Sequence, residues 1–370
     1  MNEKVFLQVI ENHLGLKNDD FKIISIDSKL ATKPGDNYMA VLFRSQLQIE
    51  KKNGEKLSLS YIVKCLLATV YNKNMVDGYS AFPKEIKMYS ELIPSFEQLY
   101  ADVGISVNFG PRCYFSGNDP TDIIIMEDLS NYEMLHRSIG LDQAHVEKAL
   151  AWLGKFHAAS MVFKERNGDF GDKFKEGVYS KSMESSYQPY YDGYFDHYLK
   201  ALKSLPNGEK LIEKVEKWRG KLYSLVCEAL DYDENAFNVL CHGKLTNFTL
   251  SVAYRYFLSG DMWSNNLMFL YDDDRNLKDL KLVDFQLPFW GSVAKDIYNF
   301  MMSSWQIDLK VKKFDELIKY YFDSLVENLT ILEYKKPLPT FEDLKKELLK
   351  RNFVGKKGWS LKTGSGTDMD

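Results

Sequence analysis

The chain has 370 residues, of which 45% are hydrophobic and 14% aromatic, and its formal net charge at pH 7 is −4. This length and apolar content are enough for a sizeable buried core and favour two domains over one. The slightly acidic balance provides no basic field that would attract nucleic acid or an anionic membrane, so we expect neither as a partner.

The N-terminal residues 1–16 are amphipathic and do not form a signal peptide, because charged residues interrupt the apolar ones. No stretch of the sequence approaches the roughly 18 apolar residues that a membrane-spanning helix needs. The four cysteines lack the C-x-x-C spacing of metal and redox motifs, which favours reduced thiols. We therefore expect a cytoplasmic protein, with a monomer as the default oligomeric state.

The first third of the chain has the pattern of an antiparallel sheet with one inserted helix. Residues 38–50 and 57–67 are rich in β-forming residues and flank Asn53-Gly54, which is a strong hairpin signal. Residues 82–100 change to a helical period. Two further strands follow, at 111–117 and 122–127.

The remainder of the chain is predicted to be mainly helical. The sequence favours an amphipathic helix over 142–163 with Asp142 as its N-cap, and long helices over 208–230 and 311–333. The runs NLMFLY and LKLVDF flank the polar turn 272–279 and predict a second hairpin. We expect an α+β fold that comprises a small antiparallel β-rich domain (1–128), a larger mainly helical domain (129–355) and a disordered tail (356–370).

One lysine in the predicted sheet needs a partner. Lys64 ends the apolar run Tyr61-Ile62-Val63, and a lysine buried there is costly unless its charge is paired. Glu85, in the helix that follows, is the natural carboxylate partner, and the phosphate oxygens of a ligand would be a second one. The alternative is an edge-strand lysine that faces water.

Three polar residues flank the second predicted hairpin. Asp261 and Asn266 lie in DMWSNN before its first strand, and Asp284 follows its second strand. Phosphoryl transfer requires a cation on the phosphates, oxygen ligands for Mg²⁺ and a base that orients the attacking hydroxyl. Each residue alone would be interpreted as a capping aspartate or a loop asparagine. Together with Lys64, their order favours phosphoryl transfer, with Asp261 as the base and the other two on the metal.

These motifs resemble those of the insect ecdysteroid kinase-like family. This family belongs to the choline kinase and aminoglycoside phosphotransferase branch of the protein-kinase-like fold. The similar segments are IVK, FPKEIKMY, IIIMEDL, LGKFHAAS, DMWSNNLMF and LKLVDFQ. The resemblance extends from about residue 20 to about residue 350, and it implies a two-lobe protein-kinase-like fold with ATP and Mg²⁺ as cofactors.

The resemblance assigns a role to each of the polar residues above. It implies that Lys64, with Glu85 as its partner, binds the phosphates of ATP, and that Asp261 is the catalytic base. It also implies that Asn266 and Asp284 are the ligands of Mg²⁺.

Two further segments would bind the nucleotide if the resemblance holds. The backbone of Met126, Glu127 and Leu129 would contact adenine as the hinge of the fold. The turn that contains Gly35 and Asn37 would cover the phosphates.

Other residues at family positions have structural interpretations. His157 lies on an apolar helix face, where a core histidine with satisfied hydrogen bonds is more common than a catalytic one. Asp296 is expected to cap or anchor the helical domain. Phe285-Gln286 stands where protein kinases have Phe-Gly, and an Ala-Pro-Glu segment is missing from the sequence, which disfavours a protein kinase.

An interruption separates His242-Gly243 from Asp261, where the family pattern would run His-Gly-Asp directly. It consists of the 17 residues 244–260, and deleting them restores VLCHGDMWSNNLMF. Gly243-Lys244 can be encoded as a splice donor (GGT-AAG), and residues 257–260 as a pyrimidine-rich acceptor that ends in AG. We therefore interpret the segment as a retained intron; the alternative is a genuine surface loop.

The sequence thus predicts an ATP-dependent phosphotransferase that acts on a hydroxyl group of a small molecule. By resemblance, the substrate would be an ecdysteroid or another lipophilic alcohol. The interruption before Asp261 motivates an alternative from a different class, a non-catalytic pseudokinase that binds nucleotide or steroid. It also predicts that the chain with residues 244–260 is inactive or nearly so.

Overall fold

A computed structural model describes residues 3–31, 40–66, 80–117, 122–135, 139–175, 184–230, 233–242 and 263–351. The chain divides into two compact units: unit 1 comprises Met1–Glu133 and Met268–Gln286, and unit 2 comprises Met134–Leu267 and Leu287–Asp370. The domain boundary that the sequence predicts after residue 128 stays a prediction. The units differ from it in two respects, since the first boundary lies after Glu133 and the hairpin within Met268–Gln286 groups with unit 1.

Unit 1 is built on a five-stranded antiparallel sheet. Its strands are β1 (Phe21–Leu30), β2 (Ala40–Lys51), β3 (Lys56–Leu66), β4 (Cys113–Gly117) and β5 (Ile123–Glu127). Their spatial order is β1-β2-β3-β5-β4, and every neighbouring pair runs antiparallel. Gly54 has a φ of 83° in the turn between β2 and β3, which confirms the hairpin predicted from Asn53-Gly54.

The N-terminal helix, α1 (Glu3–Leu14), covers one face of this sheet. Three of its apolar side chains are fully buried in a cluster with Tyr61 and Val63 of β3 and other residues of the same face, and its remaining apolar side chains are partly buried around that cluster. Successive residues of a strand point to opposite faces. Lys64, next to Val63, therefore belongs to the face that α1 does not cover.

A helical run connects β3 to β4 and confirms the helix predicted for residues 82–100. It consists of α2 (Ala81–Lys87), a π-helical turn (Met88–Leu92) and α3 (Ile93–Ala101). The N–H of Ile93 donates to the carbonyl of Met88, five residues back, which is the π-helical pattern. Pro94 follows, and a proline cannot donate to the preceding turn, so a local change of the hydrogen-bond pattern is expected here.

The second predicted hairpin is also present. It is formed by β8 (Leu267–Tyr271) and β9 (Leu277–Leu282), and the short strand β6 (Glu133–Met134) extends it in the order β6-β8-β9. Asp272 shapes the turn, because its carboxylate accepts hydrogen bonds from the backbone N–H groups of Asp274 and Asn276. The hairpin places Asp284 two residues beyond the end of β9.

Unit 2 is mainly helical. Its helices are α4 (Gln143–Asn167), α5 (Glu184–Lys203), α6 (Gly208–Glu216), α7 (Leu222–Leu230), α8 (Ala294–Ser304), α9 (Ile307–Lys312), α10 (Phe314–Ile331) and α11 (Phe341–Lys350). It also contains β7 (Asn238–Cys241) and β10 (Phe289–Ser292), which pair antiparallel. A β-rich unit and a mainly helical unit confirm the predicted α+β class.

The helix predicted over 142–163 is confirmed with its cap. The Asp142 carboxylate accepts a hydrogen bond from the N–H of His145 at 3.1 Å. Gly154 lets α4 approach α10 closely, because a Cβ at this position would lie 2.7 Å from Ser324 Oγ and 2.9 Å from the backbone nitrogen of Leu325. Among the described residues, the protein has no helix with the length and apolar content to cross a membrane.

Two predicted helices are wrong in length. Residues 208–230 form two helices, α6 and α7, and the turn between them contains Gly220 with a φ of 69°. Residues 311–333 are likewise divided, because Lys313, with a φ of −123° and a ψ of 6°, separates α9 from α10. A left-handed glycine and a non-helical lysine end the helical hydrogen-bond series at these positions, although the apolar period continues through them.

Candidate active site

Lys64 lies near the end of β3 and is only 6% exposed. Its ammonium group contacts two carboxylates: Nζ is 2.7 Å from Glu85 Oε1 and 2.6 Å from Asp284 Oδ1. Each of the three residues comes from a different element of unit 1, namely β3, α2 and the segment after β9. The structure thus brings together three of the residues that the sequence singled out.

The charges of this cluster explain how a lysine is tolerated inside unit 1. Burial opposes the charged form of Lys64, but the neighbouring carboxylates of Asp284 and Glu85 outweigh it and raise the pKa of the ammonium group above its ordinary value. Lys64 is therefore a permanent cation at neutral pH. The alternative of an edge-strand lysine that faces water does not fit, because β3 lies between β2 and β5.

Glu85 is the most deeply buried carboxylate of the cluster. Its side chain is 1% exposed, and its second oxygen, Oε2, has no hydrogen-bond partner among the described residues. Burial raises the pKa of Glu85 to about 7; the negative charge of Asp284 adds to this increase, while Lys64 opposes it. Lys64 thus stabilises the charged form of Glu85 against the cost of burial.

Asp284 has a left-handed backbone conformation and a partly accessible side chain. Its φ is 68°, in the left-handed region that few residues other than glycine, asparagine and aspartate adopt. Tyr89 accepts a hydrogen bond from the backbone N–H of Asp284 at 3.2 Å, and the Gln286 side chain donates to Asp284 Oδ2 at 3.2 Å. The Asp284 side chain is 23% exposed, whereas that of Lys64 is 7% exposed. Of the three charged residues, Asp284 is therefore the one that a ligand reaches most easily.

The neighbouring residues hold Asp284 in place. Phe285 is fully buried and meets the ring of Tyr89 edge-on, with 5.5 Å between the ring centroids. Gly110 passes close by, since a Cβ there would lie 3.0 Å from the carbonyl oxygen of Leu282 and 3.2 Å from the Phe285 ring. A residue larger than glycine would press against both ends of the segment that carries Asp284.

The donor set of the cluster suits a magnesium nucleotide. A cation at Lys64 matches phosphate oxygens, and the accessible carboxylate of Asp284 is a hard oxygen ligand of the kind that Mg²⁺ prefers. Within the described ranges, no group of three or more His, Cys, Asp or Glu side chains could hold a metal by itself. Mg²⁺ usually binds one or two carboxylates and completes its coordination with water and substrate phosphates, so the single accessible carboxylate of Asp284 fits it.

The predicted hinge residues lie at the end of β5 and just beyond it. Met126 pairs with Ile62 of β3 and is buried, and Leu129 is buried at 7% exposure. The Glu127 carboxylate accepts from Lys281 Nζ at 2.6 Å, so its side chain is occupied within unit 1. The three residues lie in the same unit as Lys64 and Asp284, and their contact with adenine remains a prediction.

In unit 2, Asn266 ends a 3₁₀ turn, Ser264–Asn266, and is buried at 7% exposure. The turn is anchored to α8, because the N–H of Ser264 donates to Ser304 Oγ at 2.9 Å. Its role as a ligand of Mg²⁺ remains a prediction. Three other residues predicted for the site, Gly35, Asn37 and Asp261, lie outside the described residues, as do residues 244–260 and the predicted tail.

The side chains of His157 and Asp296 form a buried hydrogen-bonded network in unit 2. His157 Nδ1 lies 2.7 Å from Tyr321 Oη, and its Nε2 lies 3.2 Å from Asp296 Oδ2. The same Asp296 oxygen accepts the backbone N–H of His242 at 2.7 Å. The arrangement agrees with the structural roles expected for both residues, since it satisfies His157 on both nitrogens and anchors the end of β7.

The sequence was compared with protein families and solved structures. The model of a family described as ecdysteroid kinase-like matches residues 34–334. The chain belongs to the ecdysteroid kinase-like family. The resemblance noted from its motifs is thereby confirmed, and with it the protein-kinase-like fold class. No curated protein matches the sequence.

Similar solved structures include three proteins of low sequence identity. An ethanolamine kinase from Plasmodium vivax is 13% identical, with 100% of this chain and 86% of that chain covered and a TM-score of 0.38. A protein from Ralstonia eutropha assigned as an aminoglycoside phosphotransferase is 11% identical, with 96% and 97% covered and a TM-score of 0.41. A choline/ethanolamine kinase family protein from Mesorhizobium loti is 11% identical, with 89% and 87% covered and a TM-score of 0.35.

The structure adds residues that the sequence patterns did not single out. Tyr89 contacts the backbone of Asp284, and a salt bridge between Arg44 and Asp128, joined by Ser60, lies beside the predicted hinge. The only sequence signal for a role of Asp128 was its position within the motif IIIMEDL. No sequence signal indicated Arg44, because its partner is 84 residues away in the sequence.

Proposed function

We propose that this chain is an ATP- and Mg²⁺-dependent phosphotransferase that phosphorylates a hydroxyl group of a small molecule. The observation that carries the proposal is the position of Lys64 Nζ, 2.7 Å from Glu85 and 2.6 Å from Asp284. A buried cation held between one inaccessible and one accessible carboxylate is suited to a phosphate ligand, since it presents fixed charge without reorganisation. Membership of the ecdysteroid kinase-like family supports the same reaction class.

Each of the site residues in unit 1 has a role in the reaction. Lys64 fixes phosphate oxygens, and Glu85 holds the lysine side chain in a single orientation. Asp284 presents its accessible carboxylate to the metal, while Tyr89 keeps the backbone of Asp284 in its left-handed conformation through the 3.2 Å hydrogen bond. The backbone of Met126, Glu127 and Leu129 binds adenine.

Two further residues that the sequence singled out act on the acceptor and on the metal. Asp261 accepts or orients the proton of the substrate hydroxyl, and Asn266 is the second oxygen ligand of the metal. When bound, Mg²⁺ offsets negative charge on the phosphoryl group that is transferred. The catalysis is therefore mainly positioning and electrostatics, to which this chain contributes charged groups and a base.

For the acceptor, we propose a lipophilic alcohol, with an ecdysteroid as the first candidate. The support is the family description alone.

The proposal is tested in two steps with the purified chain and with a variant that lacks residues 244–260. The first step measures thermal stabilisation by Mg-ATP, and the second measures phosphate transfer from ATP to a panel of alcohols that includes ecdysteroids. We expect Mg-ATP to bind and at least one alcohol to be phosphorylated. Asp261→Asn and Asp284→Asn in the same background are the inactive controls.

The non-catalytic alternative predicts a different outcome. It is motivated by the interruption between His242-Gly243 and Asp261. Binding of Mg-ATP without turnover, by both the full chain and the shortened variant, would favour a nucleotide-binding pseudokinase. Failure of both to bind Mg-ATP would contradict the phosphotransferase and the nucleotide-binding pseudokinase alike, and would leave only a pseudokinase that binds steroid.

A further inference from the structure

A salt bridge fixes the turn that follows β5. The Asp128 carboxylate accepts two hydrogen bonds from the Arg44 guanidinium, from Nε at 2.9 Å and from Nη2 at 3.2 Å. The hydroxyl of Ser60 donates a third, at 2.5 Å. The Asp128 side chain is 5% exposed, whereas that of Arg44 is 41% exposed. A bidentate guanidinium pair of this kind is directional, so it orients the residue that carries the carboxylate as well as neutralising it.

The pair lies on the same sheet face as Lys64. In the register of β2 with β3, Arg44 is opposite Ile62, which in turn is opposite Met126 of β5. Ile62 and Ser60 precede Lys64 by two and four residues, and residues two apart share a face. The Arg44–Asp128 pair is therefore on the face that α1 leaves uncovered. Along the strand, it lies between the level of Ile62, about 7 Å from Lys64, and that of Ser60, about 13 Å from Lys64.

Other contacts hold the residues on both sides of Asp128. The Glu127 carboxylate accepts from Lys281 Nζ at 2.6 Å, and the backbone N–H of Glu127 donates to the Arg112 carbonyl at 2.9 Å. On the other side, the Leu129 side chain is buried, and its carbonyl accepts the N–H of Tyr132 at 2.9 Å. The peptide groups around Asp128 thus have one orientation within unit 1.

We propose that Arg44 and Asp128 are positioning residues for the nucleotide base. Arg44 and Ser60 hold the carboxylate of Asp128 in place. Asp128 in turn orients the backbone of Glu127 and Leu129 toward the base of a nucleotide. The phosphates of this nucleotide lie at Lys64. This inference rests on the proposed function and deepens it, because it separates the group that orients the base from the groups that bind the phosphates. Neither Arg44 nor Asp128 takes part in phosphoryl transfer itself.

The test compares two ligands that differ only in the base and sugar. Mg-ATP contacts both ends of the site, whereas Mg-tripolyphosphate reaches only the phosphate end. We expect Arg44→Met, which keeps the aliphatic part of the side chain but loses the guanidinium group, to weaken Mg-ATP binding about tenfold. Binding of Mg-tripolyphosphate should be unchanged. Arg44→Lys should resemble Arg44→Met, because an ammonium group cannot make the bidentate contact.

Arg275→Met is the matched control. Arg275 also binds the carboxylate of Glu133 in unit 1 through two nitrogens, but both side chains are largely exposed. The substitution of Arg275 should therefore leave the affinity for Mg-ATP unchanged. Should Arg44→Met fail to fold, Ser60→Ala removes one hydrogen bond to the same carboxylate and is expected to weaken Mg-ATP binding about threefold.

The outcomes separate this inference from the function on which it rests. A wild-type chain that does not bind Mg-ATP would overturn both. Full affinity of Arg44→Met and Ser60→Ala for Mg-ATP would overturn only the role of the pair. An equal loss for Mg-ATP and Mg-tripolyphosphate would also overturn it, since the pair would then support the whole unit rather than the base.

Discussion

Lys64 and Asp284 are 220 residues apart in the sequence, yet Lys64 Nζ lies 2.6 Å from Asp284 Oδ1. The contact joins the five-stranded sheet to the segment that follows the second hairpin. Because Asp284 is the more accessible partner, the lysine is the fixed charge and the aspartate is the residue that a ligand would engage. Two predictions separate these roles.

Asp284→Asn should lower turnover by roughly 10³-fold or more while the fold is retained, because it removes the charge of a metal ligand without changing its shape. Asparagine is the appropriate substitute, since it tolerates the φ of 68° at this position. Asp284→Ala would add backbone strain to the loss of charge. Turnover and the thermal unfolding midpoint are measured together.

The control for this variant is Asp273→Asn, in the exposed turn of the second hairpin. It removes one negative charge from the same hairpin and should change neither quantity. A wild-type rate for Asp284→Asn at saturating Mg-ATP would show that Asp284 is not a ligand of the metal.

Lys64→Met should reduce turnover by roughly 10²–10³-fold, because it removes the fixed positive charge that contacts the phosphates. We expect the free energy of unfolding to fall by no more than about 1–2 kcal/mol. The loss is limited because burial already raises the pKa of Glu85 to about 7, so Glu85 can take up a proton once the lysine is gone. Denaturant unfolding at neutral pH and steady-state rates measure the two effects.

A double variant distinguishes a catalytic lysine from a structural one. Glu85→Gln removes the buried charge that Lys64→Met would leave without a partner. Together, the two substitutions should recover most of the lost stability but none of the lost turnover. Recovery of turnover along with stability would mean that Lys64 acts only through the fold.

Local sequence patterns were sufficient for those parts of the fold that have local causes. Asn53-Gly54 predicts the hairpin because it supplies the backbone conformation of the turn, and Asp142 predicts the start of α4 because its side chain caps the first turn. The edge strand β1 was not predicted, since most of its side chains are exposed and it shows little apolar alternation.

The candidate site was predictable only in part. Lys64, Glu85 and Asp284 could be proposed because motif order and the cost of a buried charge both indicate them. The contact of Arg44 with Asp128 could not, because it depends on the register of β2 with β3 and on the course of the chain after β5. Neither leaves a local pattern in the sequence.

The packing of α1 on the sheet should depend on pH through His13. Its Nδ1 lies 2.9 Å from Tyr61 Oη, and its ring is 4.4 Å from that of Tyr114. Burial, together with the positive charge of Arg112, lowers the pKa of His13 below its ordinary value of 6.5, although Glu127 opposes the shift. The unfolded chain therefore binds the proton more readily, and this contribution to stability is lost as the pH falls below about 6.5.

The prediction is tested by urea unfolding of the wild type and of His13→Gln at about pH 7.5 and about pH 5.5. Glutamine cannot be protonated, so the variant should lose less stability on acidification than the wild type. Acidic residues elsewhere affect both proteins alike. The same loss in the two would show that His13 does not titrate differently in the folded and unfolded states.

Helix α8 anchors both sides of the interruption. Asp296, in its first turn, accepts the backbone N–H of His242 at 2.7 Å, and Ser304, at its end, accepts that of Ser264 at 2.9 Å. The two anchors are eight residues apart on one helix, which corresponds to about 12 Å. Without residues 244–260, five peptide units would join His242 to Ser264, and they can span up to about 17 Å. The shortened chain can therefore keep both anchors.

Deletion of residues 244–260 should accordingly raise turnover by on the order of a hundredfold, because a base must lie within about 3 Å of its proton and a small misplacement is costly. It should also raise solubility, since FTLSVAYRYFL is apolar and β-prone. The two chains are compared on the same alcohol panel, with Asp261→Asn in the shortened chain as the inactive control. Reads of the spliced transcript test the origin of the segment: a dominant transcript that retains these codons contradicts the retained intron. Equal activity of the two chains would instead show that residues 244–260 are a tolerated loop. Such a loop is thermodynamically acceptable, because the entropy cost of closing a loop grows only slowly with its length.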